Sequence, residues 1–170
     1  MRAFALALPL AACMAPAPAP RGLVLDPGGL APAGSDLRVD FGRAQDGAVR
    51  AVASLLGRGP SSIERVAECG AGPVTMAGWD NGLTLLFRDG DFAGWLWRPG
   101  RQGAGQVTTA SGLTPGDPRA EAAALPDVRF LPTTLPPTLG HEEFVAGGLG
   151  GLIEGGAVTN LWAGVTCFFR

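Results

Sequence analysis

The stretch GLTLLFRDGDFAGWLW, residues 82–97, decides how this chain folds. Asp89-Gly90 sits between two runs rich in aromatic and branched residues, the strongest short-range hairpin signal a sequence carries. A two-residue turn there pairs Arg88 with Asp91, Phe87 with Phe92, Leu86 with Ala93, Leu85 with Gly94, Thr84 with Trp95, Leu83 with Leu96 and Gly82 with Trp97. One face then carries Leu83, Leu85, Phe87, Phe92 and Leu96 and is expected to pack on a helix. The other carries Thr84, Leu86, Arg88, Asp91, Ala93, Trp95 and Trp97, with Arg88 and Asp91 set as a cross-strand ion pair. Two readings of this second face stand. Either Trp95, Trp97, Arg88 and Thr84 form a protein-binding patch, since Trp is enriched at interface hot spots, or the tryptophans fill a secondary core.

A shift of 66 positions lays this hairpin on GLGGLIEGGAVTNLWA, residues 148–163, without a gap. Gly82, Leu83, Leu86 and Gly90 meet Gly148, Leu149, Leu152 and Gly156, and Gly155-Gly156 supplies the second turn. Upstream of the first hairpin, RAQDGAVRAVASLLG (43–57) places Ala44, Ala48, Ala51, Val52, Leu55 and Leu56 on one helical face, and Gly57 is a natural stop. Upstream of the second, DPRAEAAALP (117–126) predicts a shorter helix, with Asp117 as its cap, Pro118 at its first position and Pro126 at its end. Residues 73–79, 128–131 and 164–169 read as further strands, and Leu23–Leu25 as a short edge strand. The expected fold is α+β, made of two similar units, 37–101 and 113–170. Each is a short helical segment on an antiparallel sheet that ends in a hairpin, and a Gly/Thr/Ser-rich linker at 102–112 joins them.

The chain opens MRAFALALPLAAC. A short basic start, an apolar run too short to span a bilayer, and Leu10-Ala11-Ala12-Cys13 together match the bacterial lipobox. On this reading residues 1–12 are a signal peptide and Cys13 carries the lipid that holds the protein on a membrane. The competing reading, a plain secretory signal, needs a cut among the prolines at 16, 18 and 20. Residue 14 is Met rather than Asp, which favours the outer membrane. Residues 13–36 are then a Pro/Ala-rich tether, its MAPAPAPR segment a polyproline spacer of about 25 Å.

Removing residues 1–12 from the 170 leaves 158, the size of one compact domain or two small repeats. All 13 basic residues are Arg, the net charge is −2 and no basic run occurs, so nucleic-acid binding has no electrostatic footprint. Cys69 and Cys167 remain once Cys13 is lipidated. In an exported chain they are expected to pair, closing a loop that contributes roughly 4–5 kcal/mol, or else to be two buried thiols.

The openings Gly42 to Gly57 and Gly112 and Gly116 to Pro126, the two hairpins and the lipobox with its spacer carry a resemblance. The chain resembles the β-lactamase-inhibitor-protein-like fold, two copies of a helical segment laid on an antiparallel sheet, and the small outer-membrane assembly lipoproteins, which carry one related unit. The resemblance covers residues 37–170 and implies an inhibitor, assembly or scaffold role, with no contact residue carried over.

Tests for chemistry point away from catalysis. His141, in Gly140-His141-Glu142-Glu143, is the single histidine and is expected to be solvent-exposed; a zinc site lacks a second His. No serine lies in a G-x-S-x-G elbow, and no G-K-[ST] phosphate loop exists without Lys. The sequence therefore predicts a non-catalytic, cofactor-free and metal-free envelope lipoprotein that binds an envelope protein. The alternatives are a structural lipoprotein with no discrete partner and a small hydrolase using His141.

Overall fold

A computed structural model of the chain describes residues 22–101, 106–132 and 141–167. The lipobox with Cys13 and the MAPAPAPR spacer lie outside these residues. In chain order the elements are β1 (Leu23–Asp26), β2 (Gly29–Pro32), β3 (Val39–Asp40), α1 (Gln45–Leu56), β4 (Ser62–Val66), β5 (Val74–Gly78), β6 (Leu83–Arg88), β7 (Asp91–Trp97), β8 (Val107–Thr109), α2 (Arg119–Ala123), β9 (Arg129–Leu131), β10 (His141–Ala146), β11 (Leu149–Glu154) and β12 (Ala157–Gly164). They form an α+β structure with two sheets. The larger has the order β4-β5-β6-β7-β12-β11-β10-β9, two antiparallel four-strand meanders joined at β7–β12. The smaller has the order β3-β2-β1-β8 and lies on one face of the larger, beside both helices.

Both expected hairpins form, but each contains a residue that turn chemistry does not announce. Arg88 faces Asp91 and Phe87 faces Phe92, as the two-residue turn requires. Leu86 then faces Gly94, so Ala93 is bulged out of the ladder. From there Leu85 pairs with Trp95, Thr84 with Leu96 and Leu83 with Trp97. Because side chains alternate with a period of two, one inserted residue exchanges the faces beyond it. Trp95 and Trp97 therefore join Leu83, Leu85, Phe87 and Phe92 in the core, while Leu96 moves to the outer face. The second hairpin does the same: Ile153 faces Val158, Leu152 faces Asn160, and Thr159 is bulged.

The two helices meet the sheet through matching backbone bonds. At α1, Gly42 N–H donates to Phe92 O (2.7 Å), Phe92 N–H to Arg43 O (2.7 Å) and Gln45 N–H to Gly90 O (2.8 Å). At α2, Gly116 N–H donates to Val158 O (2.7 Å), Val158 N–H to Asp117 O (2.8 Å) and Arg119 N–H to Gly156 O (2.8 Å). Helix α1 buries Ala48 and Val52, two residues of its expected apolar stripe, and is closed by a left-handed Gly57. Helix α2 is five residues long, and Pro118, not Asp117, is its cap residue. The Asp117 carboxylate instead accepts a hydrogen bond from Thr114 N–H at 2.7 Å. A short carboxylate that reaches backward to its own turn cannot also cap the helix ahead.

The expected boundaries shift where non-local pairing intervenes. Residues 23–32, assigned to the tether or to an edge strand, form β1 and β2. Strand β1 is paired on both sides, and Leu23, Leu25 and Leu30 are fully buried. Within the expected linker, Val107–Thr109 is β8, parallel to β1; residues 102–105 lie outside the described set. Strands β4 and β10 were not expected, and the second places His141, expected to be solvent-exposed, in a sheet. The terminal strand expected at 164–169 does not extend past Gly164 among the described residues.

Beyond Gly164 the chain crosses the outer face of β7. Val165 N–H donates to the carbonyl of the bulged Ala93 at 2.8 Å. A Cβ on Gly94 would lie 2.2 Å from Val165 O, so only glycine lets the two backbones approach this closely. This crossing segment covers Val74 and Leu86 and ends in a disulfide between Cys167 and Cys69. Trp162, also on the outer face, lies flat over Gly150, where a Cβ would be 2.3 Å from the indole nitrogen.

The smaller sheet is clamped by Arg38. Its guanidinium bonds both oxygens of Asp26 (2.8 and 2.9 Å) and Asp40 Oδ1 (2.7 Å). The hydrogen bonds from Arg38 hold the Asp26 carboxyl below the usual carboxylate range, with the Gly28 and Gly29 amides assisting, against a smaller opposing effect of burial. A carboxyl whose folded pKa is depressed contributes stability that is complete above about pH 4 and is lost as pH falls through the folded value. Thermal melts across the acid range are therefore expected to show Arg38→Met less stable than the parent at neutral pH, with the gap closing as the pH falls below 4. A gap that stays constant with pH would show that Arg38 acts through packing of its stem alone.

Candidate functional site

Of the four residues expected to form a binding patch, the fold buries three. Trp95 is 0% exposed and its Nε1–H donates to Asp26 O at 2.8 Å, tying the large sheet to the β1–β2 turn. Trp97 is 1% exposed and donates to Asn81 O at 3.2 Å. Thr84 is also buried, on the opposite face, where it pairs with Leu96. Arg88 alone is exposed, at the hairpin tip opposite Asp91. The bulge at Ala93 is the cause: it separates the tryptophans from the Thr84 face and turns them inward.

A signal for this was present in the sequence. Phe92 has even parity along its strand, whereas Trp95 and Trp97 have odd parity. Three large aromatics can share one buried face only if an extra residue lies between them. Val158, Leu161 and Ala163 repeat the same change 66 residues later.

His141 is half-buried rather than exposed. Its Nε2 lies 3.3 Å from Glu154 Oε1, its partner across the strands, and its Nδ1 is buried without a hydrogen bond. The neighbouring Glu142 takes the guanidinium of Arg119 at 2.8–3.0 Å, and that guanidinium also stacks 4.2 Å from the Phe130 ring centroid. This pairing, the larger effect in both, lowers the Glu142 pKa and raises that of Arg119. Among the described residues no group of three or more His, Cys, Asp or Glu is placed to hold a metal ion.

An open surface lies elsewhere, on the side of the helices and the small sheet. The β1–β2 turn, the end of β8, the turn after α2 and the β10–β11 turn enclose a depression of about 300 Å³. Leu25, Pro27, Leu125, Ala146 and Leu149 make its floor and walls. A second depression of about 510 Å³ adjoins it, sharing Ser111, Leu125 and Pro126. Asp127, held in the left-handed region at φ 56°, stands at the rim where α2 turns toward β9. No sequence pattern marks this groove, because its walls come from four segments spread over more than a hundred residues. No protein-family model, curated protein or solved structure matches this chain.

Proposed function

We propose that this chain is a non-catalytic lipoprotein of the bacterial cell envelope, anchored through Cys13 with the outer membrane favoured, and that its folded body binds another protein. The observation that carries the binding reading is the apolar groove around Leu125. Its two depressions fall in the size range that ligand-binding clefts occupy, and the first, beside Leu25, Leu125 and Leu149, is lined mainly by apolar surface. The lipobox supports the anchor, and the Cys69–Cys167 disulfide fits an oxidising compartment.

The reading includes a body of two similar units, as the β-lactamase-inhibitor-protein-like resemblance implies. Supporting it are the hairpins 66 residues apart with bulges at Ala93 and Thr159, and the three matching backbone bonds at each helix. The junction adds to this: Leu96 pairs with Trp162, its counterpart 66 residues on, with Trp95–Ala163 and Trp97–Leu161 flanking that pair symmetrically.

Photocrosslinking in live cells tests the binding reading. A photoreactive residue at Leu125 is expected to capture one dominant envelope protein in the membrane fraction. The same probe at the buried Trp95 is expected to give only links within the chain. Self-links alone from Leu125 would replace the binding module with a structural lipoprotein that has no discrete partner. In parallel, Cys13→Ser is expected to release the protein from membranes; retention of the variant on membranes would remove the lipid anchor.

A further inference from the structure

Resting on the groove reading, we infer that the partner contributes a short basic segment with interspersed aliphatic side chains. The groove is acidic as well as apolar. Asp26, Asp117, Glu121 and Asp127 line its two depressions, and among the described residues no Arg or His lines either of them. Two of these carboxylates are engaged within the fold: Asp26 by Arg38, and Asp117 by the Thr114 amide. Glu121 and Asp127 are exposed, outside every ion pair and side-chain hydrogen bond of the described structure.

The division of labour follows from physics. The aliphatic floor formed by Leu25, Leu113, Leu125 and Leu149 removes apolar side chains from water, which supplies affinity. Hydrated carboxylates at a rim act on affinity mainly by raising the association rate of a cationic partner, and like-charge contact rejects an acidic one. The whole chain carries a net charge of only −2, so this one-sided arrangement is local to the groove rather than a property of the whole surface.

The test uses the full chain and three fluorescein-labelled peptides: alternating Arg and Leu, alternating Glu and Leu, and alternating Ser and Leu. Amide spectra locate binding and fluorescence anisotropy measures it. The Arg/Leu peptide is expected to shift the resonances of Leu125, Asp127 and Gly147 and to weaken steeply with added salt. Glu121→Gln with Asp127→Asn is expected to lower its affinity about tenfold, mostly through the on-rate. Both sites are exposed, and Asn tolerates the left-handed backbone at residue 127, so the double variant keeps the fold.

If the Ser/Leu or Glu/Leu peptide binds the same residues as tightly, the basic-partner inference is overturned while the groove reading survives. If no peptide shifts those resonances, the inference is overturned, and self-links alone from Leu125 would then remove the groove reading as well. Unchanged affinity in the double variant would also overturn the inference.

Discussion

Replacing Trp95 with Ala is expected to destabilise the protein by about 3–5 kcal/mol, the cost of emptying a large aromatic site in a packed core. Trp95 is fully buried among residues from the large sheet, the small sheet and α1. Its indole N–H also satisfies the Asp26 carbonyl, which sits at the end of β1. Truncation therefore opens a cavity and strands a backbone acceptor at the joint between the two sheets. Trp95→Phe separates the two effects: it keeps most of the ring volume but loses the donor, and is expected to cost about 1–3 kcal/mol. Urea unfolding followed by circular dichroism reads both numbers. Total stabilities of single domains are about 5–15 kcal/mol, so the Ala variant should be close to unfolded. A binding-surface tryptophan would behave in the opposite way, with an unchanged midpoint and a lost partner. Equal midpoints for parent and Trp95→Ala would therefore reject the bulged register.

Reduction of the Cys69–Cys167 disulfide is the second large expected effect. The bridge joins positions 98 residues apart, and the chain-entropy model assigns a loop of that length roughly 4–5 kcal/mol. For a chain of this size the melting temperature should fall on the order of 10 °C when the protein is reduced or carries Cys69→Ser with Cys167→Ser. The structure adds a spatial consequence. The crossing segment is held to β7 by a backbone bond from Val165 N–H to Ala93 O and packs in a small apolar cluster with Val74, Leu86 and Cys69. Release of Cys167 is expected to lift this segment and expose Leu86 and Val74. Calorimetry with and without reductant measures the first effect, and proteolysis near Val165 the second. An unchanged melting temperature with an intact segment would show that packing at Val165 holds the crossing without the covalent link.

These outcomes also divide what was local from what was not. The hairpins at 89–90 and 155–156 and helix α1 with its Gly57 stop were legible because each rests on short-range chemistry, turn residues and a helical apolar stripe; the cysteine pairing was legible because only Cys69 and Cys167 remain once Cys13 is set aside. Strand β1 was legible as a short strand at 23–25 but not its place between β2 and β8, and β8 was not legible at all, since a parallel pair between residues 23–25 and 107–109 leaves no mark on the residues between them. Strand β10 was missed because Glu142 and Glu143 interrupt any alternating apolar pattern there; Arg119 from α2 pairs with Glu142, which makes that carboxylate acceptable within a sheet.

The candidate site divides in the same way. Thr84, Arg88, Trp95 and Trp97 were placed together by ideal pairing, and a single bulged alanine took the tryptophans away from the other two. A bulge costs little in local terms and has no obligatory residue, so turn chemistry cannot announce it; the parity change from Phe92 to Trp95 was its only trace. The groove around Leu125 depended entirely on tertiary structure. The sequence by itself determined which segments form hairpins and helices, because those choices depend on neighbours a few residues away. Only the packed structure decided which face each tryptophan takes and where an open apolar surface remains, because both depend on how distant segments cover one another.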